Sequence, residues 1–288
     1  MLRIGLRAHD YGTKVSVGEL AEILCEFKPA SVQLAPAKAL SDAPGAGGFS
    51  PGYAGLVRET LAAKNIAVAV LGCYINPVHP DAGTREKQLC RFEEYLRHAR
   101  DFGCAVVGTE TGSLNGDCSF HPDTEKQETF DLFCRSLERL VTVAEKCGSV
   151  VAIEAVADRH TVCSVEKMEL TLRRLKSPAL KVIYDPVNLV PEAGLKEPQG
   201  DFFARAFEAF GNDIAAIHAK DFRMEGGKKN GTLPAGTGDM DYGALLKLAA
   251  ERKPGVDILL ENSCPKTGKK AMAFLNDTYP RAEKRSPE

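Results

Sequence analysis

The amino-acid sequence predicts an α/β fold that consists of a single (β/α)₈ barrel. Short apolar runs rich in Val and Ile alternate with longer amphipathic segments, as expected of parallel strands joined by crossover helices. The chain has 288 residues, which suits a barrel of typically ~250 residues. No Gly-x-Gly-x-x-Gly motif follows the first strand, so a dinucleotide-binding sheet is disfavoured. We expect one domain over residues 1–288, with a polar tail after about residue 280.

Eight strands and eight helices are predicted in strict alternation. The strand candidates are the apolar runs 2–7, 31–35, 66–71, 105–110, 150–155, 180–185, 214–219 and 257–261. The helix candidates that follow them are 16–27, 51–64, 84–102, 125–147, 164–175, 199–210, 241–252 and 267–278. Ser16 with Glu19 is a predicted capping box, and Thr84 and Ser164 are predicted N-caps of two further helices.

Composition and charge argue against several classes of protein. The chain is 44% apolar and 26% charged, as in an ordinary globular protein. Its 37 basic and 39 acidic residues give a net charge of −2, so we expect no nucleic-acid partner. We find neither a signal peptide nor an 18-residue apolar run, so no membrane partner is expected. Nine cysteines without a CxxC pair suit a reducing cytoplasm. The sequence leaves open whether the protein forms a homo-oligomer.

Four consecutive predicted strands end in a residue that can bind a metal ion. These residues are Glu154, Asp185, His218 and Glu261. Their separations of 31, 33 and 43 residues each correspond to about one βα unit, so the four side chains should converge at the carboxyl-terminal rim of the barrel. Three carboxylates and one imidazole suit Mn²⁺ or Mg²⁺ and tolerate Co²⁺ or Zn²⁺. We predict one divalent ion at this rim.

Polar residues also follow the earlier strands. They are His9 after the first strand, Tyr74 and Asn76 after the third, and Glu110 at the end of the fourth. Each is a candidate for the wall of a substrate pocket, and each has an alternative role as a local hydrogen-bonding or helix-capping residue.

The segment after His218 carries further candidates. Lys220 is interpreted as an ion-pair partner rather than a Schiff-base nucleophile, and Asp221 as a residue that could orient a metal ligand. The stretch 223–232 is glycine-rich and basic, as in a mobile lid over a polar or anionic ligand. A solvated surface loop is the alternative interpretation, so the choice between a sugar and a sugar phosphate stays open.

Two motifs carry a resemblance to a known family. They are the His218-Ala219-Lys220-Asp221 segment and the run Leu-Pro-Ala-Gly-Thr-Gly-Asp-Met-Asp-Tyr at residues 233–242. With them, the whole chain resembles the xylose-isomerase-like barrel superfamily of sugar and sugar-phosphate isomerases and epimerases. Glu154, Asp185 and the other two strand-end residues match metal-ligand positions of its ketose 3-epimerase branch. The resemblance implies one divalent ion held by these four residues, with Mn²⁺ favoured.

The sequence departs from the epimerase pattern at three positions that the resemblance assigns to substrate binding. Asn188 stands three residues after Asp185, where the epimerases commonly have His, and its amide can still bind a hydroxyl group. Arg223 lies one residue before the position at which the family has Arg. His160 occupies a position that is usually Glu. We interpret Asn188, Arg223 and His160 as substrate-binding residues, together with His9 and Glu110.

The predicted reaction is proton transfer at a carbon next to a sugar carbonyl, through a metal-stabilised enediolate. Glu154 and Glu261 would act as base and acid. The alternatives are an aldose–ketose isomerase, an inosose-type dehydratase on the same scaffold, and a non-catalytic sugar-binding protein. The apurinic-site endonuclease branch is disfavoured, because the chain has only six His and Asn188 occupies a position where that branch needs another.

Overall fold

Short apolar segments form the parallel strands of a closed barrel in the computed structural model, which describes residues 2–283. The described strands are β1 (Arg3–Arg7), β2 (Ser31–Leu34), β3 (Ala67–Gly72), β4 (Val106–Glu110), β5 (Val150–Glu154), β6 (Leu180–Tyr184), β7 (Ile214–Glu225), β8 (Lys228–Pro234) and β9 (Asp257–Leu260). Strands β1 to β7 pair in sequence order, and β9 pairs with both β7 and β1 to close the cylinder. The predicted (β/α)₈ barrel is confirmed.

Helices surround this barrel and follow its strands. The described helices are α1 (Val17–Cys25), α2 (Pro36–Ala39), α3 (Pro51–Ala62), α4 (Ala82–His98), α5 (Gln127–Cys147), α6 (Val165–Leu175), α7 (Pro186–Leu189), α8 (Gln199–Phe210), α9 (Tyr242–Arg252) and α10 (Gly268–Glu283). The longer helices lie within a few residues of their predicted bounds. The one-turn helices α2 and α7 were not predicted, because four residues are too few to show helical periodicity.

The helix ends confirm two predicted caps and correct one. Ser16 and Glu19 form the capping box of α1, and Ser164 caps α6. Thr84 is not an N-cap, because α4 begins earlier and Asp81 accepts the backbone N–H of Thr84 at 2.7 Å.

The predicted polar tail begins inside a helix. Residues 280–283 continue α10, and residues 284–288 lie outside the described part of the chain. No helix within the described residues combines the length and apolarity needed to cross a membrane.

The interior of the barrel is filled by side chains from several of its strands. Val70, Ala152, Ile183, Ala216 and Leu259 form a small cluster there, while a larger core lies between strands and helices. A Cβ atom at Gly108 would lie 2.5 Å from Ile183 Cδ1, so the small residue on β4 makes room for the large one on β6. Because the interior is solid, ligands have access only to the ends of the barrel.

The stretch predicted as a lid loop is an ordered β-hairpin. Strand β7 continues beyond the barrel and pairs antiparallel with β8, with Glu225 opposite Lys228. The two residues between them, Gly226 and Gly227, have φ values of +58° and +79°, as a two-residue type I′ turn requires. The hairpin therefore extends the scaffold above the carboxyl-terminal rim.

Asp221 fixes the segment that follows this hairpin. Its carboxylate accepts backbone N–H groups from Phe222, Gly236, Thr237 and Met240 at 2.9–3.1 Å. These contacts correct the expectation that Asp221 orients a metal ligand. The glycine-rich motif around residue 236 consequently has a structural role, because its backbone wraps around this buried carboxylate.

Gly238 provides a test of this packing. A Cβ atom there would lie 2.2 Å from Phe222 O and 2.5 Å from Asp221 Oδ1. We expect Gly238→Ala to lower the free energy of unfolding by about 1–3 kcal/mol, because the backbone must move. Gly18→Ala is the control, since nothing lies within 4 Å of that Cβ position in α1, and it should add about 0.5–1 kcal/mol. Equal effects of the two variants in urea unfolding would contradict this account.

Candidate metal centre and substrate cavity

The four predicted metal ligands converge at one point on the carboxyl-terminal rim. Glu154 ends β5, Asp185 follows β6, His218 lies within β7, and Glu261 follows β9. One potential ligand atom from each side chain lies within 4.8 Å of all the others. His218 Nδ1 is 3.3 Å from Glu154 Oε1, 3.8 Å from Asp185 Oδ2 and 3.0 Å from Glu261 Oε2. All four residues are buried, with at most 8% exposure.

A hydrogen bond on the far side of the imidazole determines which nitrogen faces this cluster. His218 Nε2 lies 2.6 Å from Gln33 Oε1 on β2, and Gln33 Nε2 donates to Tyr74 Oη at 3.0 Å. Since the Gln33 oxygen can only accept, His218 carries its hydrogen on Nε2. In the neutral imidazole, Nδ1 is then the nitrogen that would offer its lone pair to a metal ion. Gln33 therefore orients His218 as a ligand in the manner seen at protein metal sites.

The donor atoms fit a divalent cation. His218 Nδ1, Asp185 Oδ2 and Glu261 Oε2 are buried and form no well-oriented hydrogen bond with the described residues, although Lys220 Nζ lies 2.8 Å from Asp185 Oδ2. Burial alone would lower the pKa of His218, but Glu154 and Glu261 together raise it to about 10. The cluster thus attracts positive charge, and a metal ion would satisfy all three atoms.

Two cations from neighbouring strands stabilise Glu261. Arg7 at the end of β1 donates to Glu261 Oε1 and forms an ion pair with Asp10 at 2.9 Å. Lys220 Nζ lies 3.3 Å from the same Glu261 oxygen, which confirms its prediction as an ion-pair partner. Burial opposes ionisation, but Lys220, His218 and Arg7 hold the pKa of Glu261 well below its usual range. Glu261 is therefore charged.

A cavity of about 330 Å³ opens onto this cluster. Glu261, Lys220 and Asn188 line its inner part, and residues 229–232 of the hairpin line another wall. Its volume is within the range of small-molecule sites. Larger cavities of about 430 and 540 Å³ lie elsewhere, and neither is lined by a residue of the cluster. We therefore assign the smaller cavity to the substrate.

Three predicted substrate-binding residues lie close to the cluster. Asn188 donates to Glu154 Oε1 at 2.6 Å and accepts from Lys220 Nζ at 2.7 Å. Glu110 lies opposite Glu154 in the β4–β5 pairing, and its side chain is 39% exposed. His160 is buried, with Nε2 3.6 Å from Glu110 Oε2. Burial lowers the pKa of His160 to about 4, so the imidazole is neutral and can hydrogen-bond a hydroxyl group.

The candidates that follow the first and third strands have different surroundings. His9 lies edge-on to Tyr74, with ring centroids 5.8 Å apart, and burial assisted by Arg7 and Lys38 lowers its pKa to about 3. Asn76 donates instead to backbone oxygens of the loop after β4.

Arg223 does not face the cavity in this structure. Its side chain is 51% exposed, and its guanidinium donates to Thr237 O at 2.7 Å. Arg223 is therefore not among the residues that line the cavity, and its contact with a substrate stays a prediction. The hairpin residues that line the cavity are instead 229–232 on β8.

Comparison with known proteins assigns the chain to a family. The family model described as "Xylose isomerase-like TIM barrel" matches residues 30–278. The chain belongs to this family. A search of curated proteins found no match.

Solved structures share the xylose isomerase-like barrel over nearly their full length. A D-tagatose 3-epimerase-like protein superposes with a TM-score of 0.78 at 15% identity, covering 99% of each chain. A xylose isomerase domain protein from Planctomyces limnophilus superposes with a TM-score of 0.74 at 19% identity, covering 98% of each chain. A xylose isomerase-like TIM barrel protein from Mycobacterium smegmatis in complex with magnesium superposes with a TM-score of 0.71 at 16% identity, covering 98% of each chain. At these identities the similarity establishes the fold.

Sequence analysis missed Gln33, Arg7 and Lys229 as residues of this site. Gln33 is a polar residue in the middle of the buried strand β2, and Arg7 is a charged residue at a strand end. Both carried a usable signal, because polar residues at strand ends or within buried strands need partners. Lys229 carried none, since nothing distinguished it from the neighbouring basic residue Lys228.

The hydrogen bond between Gln33 and His218 can be tested by metal affinity. We expect Gln33→Leu to weaken Mn²⁺ binding about 10–100-fold, because the Nε2–H of His218 loses its acceptor and the imidazole loses its orientation. Tyr74→Phe should have a smaller effect, since it keeps that acceptor. Calorimetric titration with Mn²⁺ gives the dissociation constants of both folded variants and of the wild type. Wild-type Mn²⁺ affinity in Gln33→Leu would show that Gln33 does not orient a ligand.

Proposed function

We propose that the protein is a divalent-metal-dependent isomerase or epimerase of a sugar or sugar phosphate. The observation that carries this proposal is the convergence of four buried donor atoms within 4.8 Å beside a cavity of about 330 Å³. A 3-epimerase-like protein and a magnesium complex are among the similar structures. Membership of the xylose isomerase-like family supports the same reaction class.

Glu154, Asp185, His218 and Glu261 would hold the ion. We propose Mn²⁺, and the donor set also accepts Mg²⁺, Co²⁺ or Zn²⁺. When bound, the ion would supply positive charge beside a substrate carbonyl oxygen and so ease proton removal from the neighbouring carbon. Asp185 can serve two roles, because Oδ1 accepts the backbone N–H of Asn188 at 2.9 Å while Oδ2 faces the cluster.

Glu154 and Glu261 would move the protons. They lie on either side of Asp185 and His218 in the order of barrel strands, so each could reach one face of a substrate carbon. Asn188 holds one oxygen of Glu154, while Arg7 and Lys220 hold one oxygen of Glu261. Each carboxylate is thereby fixed through one oxygen and keeps the other for the ion or the substrate.

Asn188, His160, Glu110 and His9 would bind substrate hydroxyl groups near these carboxylates. We propose a small sugar as the substrate and the cytoplasm as the location. All nine cysteines lie in the described part of the chain and are free thiols, as suits a reducing compartment.

Metal content gives the first test of this function. We expect about one divalent ion per chain by elemental analysis, and chelation should abolish activity. Asp185→Ala and His218→Ala should lose ion binding, because each removes a ligand atom. Asp213→Ala, before the amino-terminal end of β7, and His79→Ala are matched controls that should keep the ion. Absence of a stoichiometric ion, with ligand variants that take up metal like the wild type, would refute the site.

The two proton-transfer residues can be separated by Gln substitution. Glu154→Gln or Glu261→Gln keeps the side-chain shape but cannot exchange a proton, so turnover should fall roughly 10²–10⁴-fold. Metal content is checked first. Each variant should then exchange the α-hydrogen of one stereoisomer with deuterated water without inverting it, and the two variants should favour opposite stereoisomers.

Glu225→Gln at the hairpin tip is the control for this experiment and should behave like the wild type. Near wild-type epimerisation by Glu154→Gln or Glu261→Gln would contradict the assignment of two bases. A product that contains one water molecule fewer than its substrate would instead identify the dehydratase alternative.

A further inference from the structure

The hairpin brings one lysine to the substrate cavity without a carboxylate partner. Lys229 on β8 lines the cavity, and its Nζ donates to Val187 O at 3.1 Å and to Val190 O. Among the described residues, no Asp or Glu oxygen lies within 4.0 Å of this ammonium group. Burial lowers the pKa of Lys229, and the charge of Glu192 opposes that change. A partly desolvated positive charge without a carboxylate partner thus belongs to a residue that lines the cavity.

The other charges around the cavity are already paired. Lys220 contacts Asp185 and Glu261, and Arg159 lies 3.6 Å from Glu192. The cavity lining contains three cationic side chains and two carboxylates, so the unpaired positive charge is that of Lys229. Removing a cation from water without an anionic partner is unfavourable, and a ligand anion would supply that partner.

A purely structural role does not account for this lysine. Its contacts with Val187 O and Val190 O satisfy carbonyl groups at the end of α7, where a cation is favoured. These contacts use two of its three N–H groups. The hairpin is also brought close to α7 by Gly231, where a Cβ atom would lie 3.2 Å from Val187 Cγ1. One N–H group and the full positive charge therefore remain for a ligand.

We propose that the cavity binds a sugar that carries a carboxylate or phosphate group, with this anionic group beside Lys229. The inference rests on the proposed function, which places the reacting carbons at Glu154 and Glu261. The same cavity extends from Glu261 and Lys220 to residues 229–232. A sugar could therefore span it with its carbonyl end at the cluster and its anionic end at the hairpin. A neutral ketose would leave Lys229 unpaired.

The test compares three matched probes on the Mn²⁺-loaded protein: a ketohexose, its 6-phosphate and the ketohexose acid with a carboxylate at that carbon. Dissociation constants come from calorimetry, and kcat/KM comes from epimerisation. We expect the wild type to prefer at least one anionic probe over the ketohexose by about tenfold or more. The better of the two anionic probes identifies phosphate or carboxylate as the group recognised.

Lys229→Met should reduce this preference ratio about tenfold or more, and Lys229→Arg should retain most of it because the charge remains. Lys228→Met is the matched control, since Lys228 is exposed on the adjacent position of the hairpin and should leave the ratio as in the wild type. Thermal unfolding checks that each variant is folded. If Lys229→Met does not fold, Lys229→Gln takes its place, and the same loss of preference for the anionic probe is expected.

Two results would overturn the inference. One is a wild type that binds the ketohexose as tightly as both anionic probes. The other is a preference ratio that Lys229→Met leaves unchanged, as expected if the lysine only caps α7. Failure of the proposed function gives a different pattern, because anion selectivity would then persist in calorimetry while none of the probes exchanged an α-hydrogen with deuterated water.

Discussion

Buried negative charge at the carboxyl-terminal rim is the constraint on which the site depends. Glu154, Asp185 and Glu261 are brought together around His218 with almost no exposure to water. Like charges at this separation repel each other strongly in a medium of low polarity. Such a cluster is tolerated only if cations compensate it. Lys220 and Arg7 supply part of that compensation within the chain, and a divalent ion would supply the rest.

The way these cations are arranged also explains the neighbouring polar contacts. Lys220 reaches Asp185, Glu261 and the oxygen of Asn188, which orients the Asn188 amide nitrogen toward Glu154. Asn188 thereby links the two carboxylates to which we assign proton transfer. On the opposite side, Gln33 directs the imidazole lone pair to the cluster. The polar groups form a connected network, in which each side chain limits the orientation of the next.

The barrel and the convergence of the four candidate ligands could be predicted because both depend on local pattern. Apolar runs separated by about one βα unit identify the strands, and parallel strands necessarily end at a common rim. Gln33 and Arg7 are polar residues that local pattern marks as needing partners, but their partners lie 185 and 254 residues away, and local pattern does not identify them. The hairpin was missed because Gly and Lys are weak strand formers, although Gly226 and Gly227 are the residues that its turn requires.

The difference between Arg223 and Lys229 shows where sequence reasoning reaches its limit. Both are basic residues of one hairpin, in which Arg223 pairs with Asn230 and Met224 pairs with Lys229. Arg223 points to Thr237 and solvent, whereas Lys229 lines the cavity. This difference follows from how the hairpin folds and packs against α7, which the sequence pattern around the two residues does not show.

The site therefore divides into two parts with different structural origins. Glu154, Asp185, His218 and Glu261 lie on or directly after barrel strands, whose positions follow from the closure of the cylinder. Lys229 lies on a hairpin outside the cylinder, where length and composition can change without disturbing the core. The barrel itself is shared with a solved structure at 15% identity, so it does not require a particular hairpin sequence. In our proposal, the strand ends accordingly determine the reaction class, and the hairpin determines which sugar is bound.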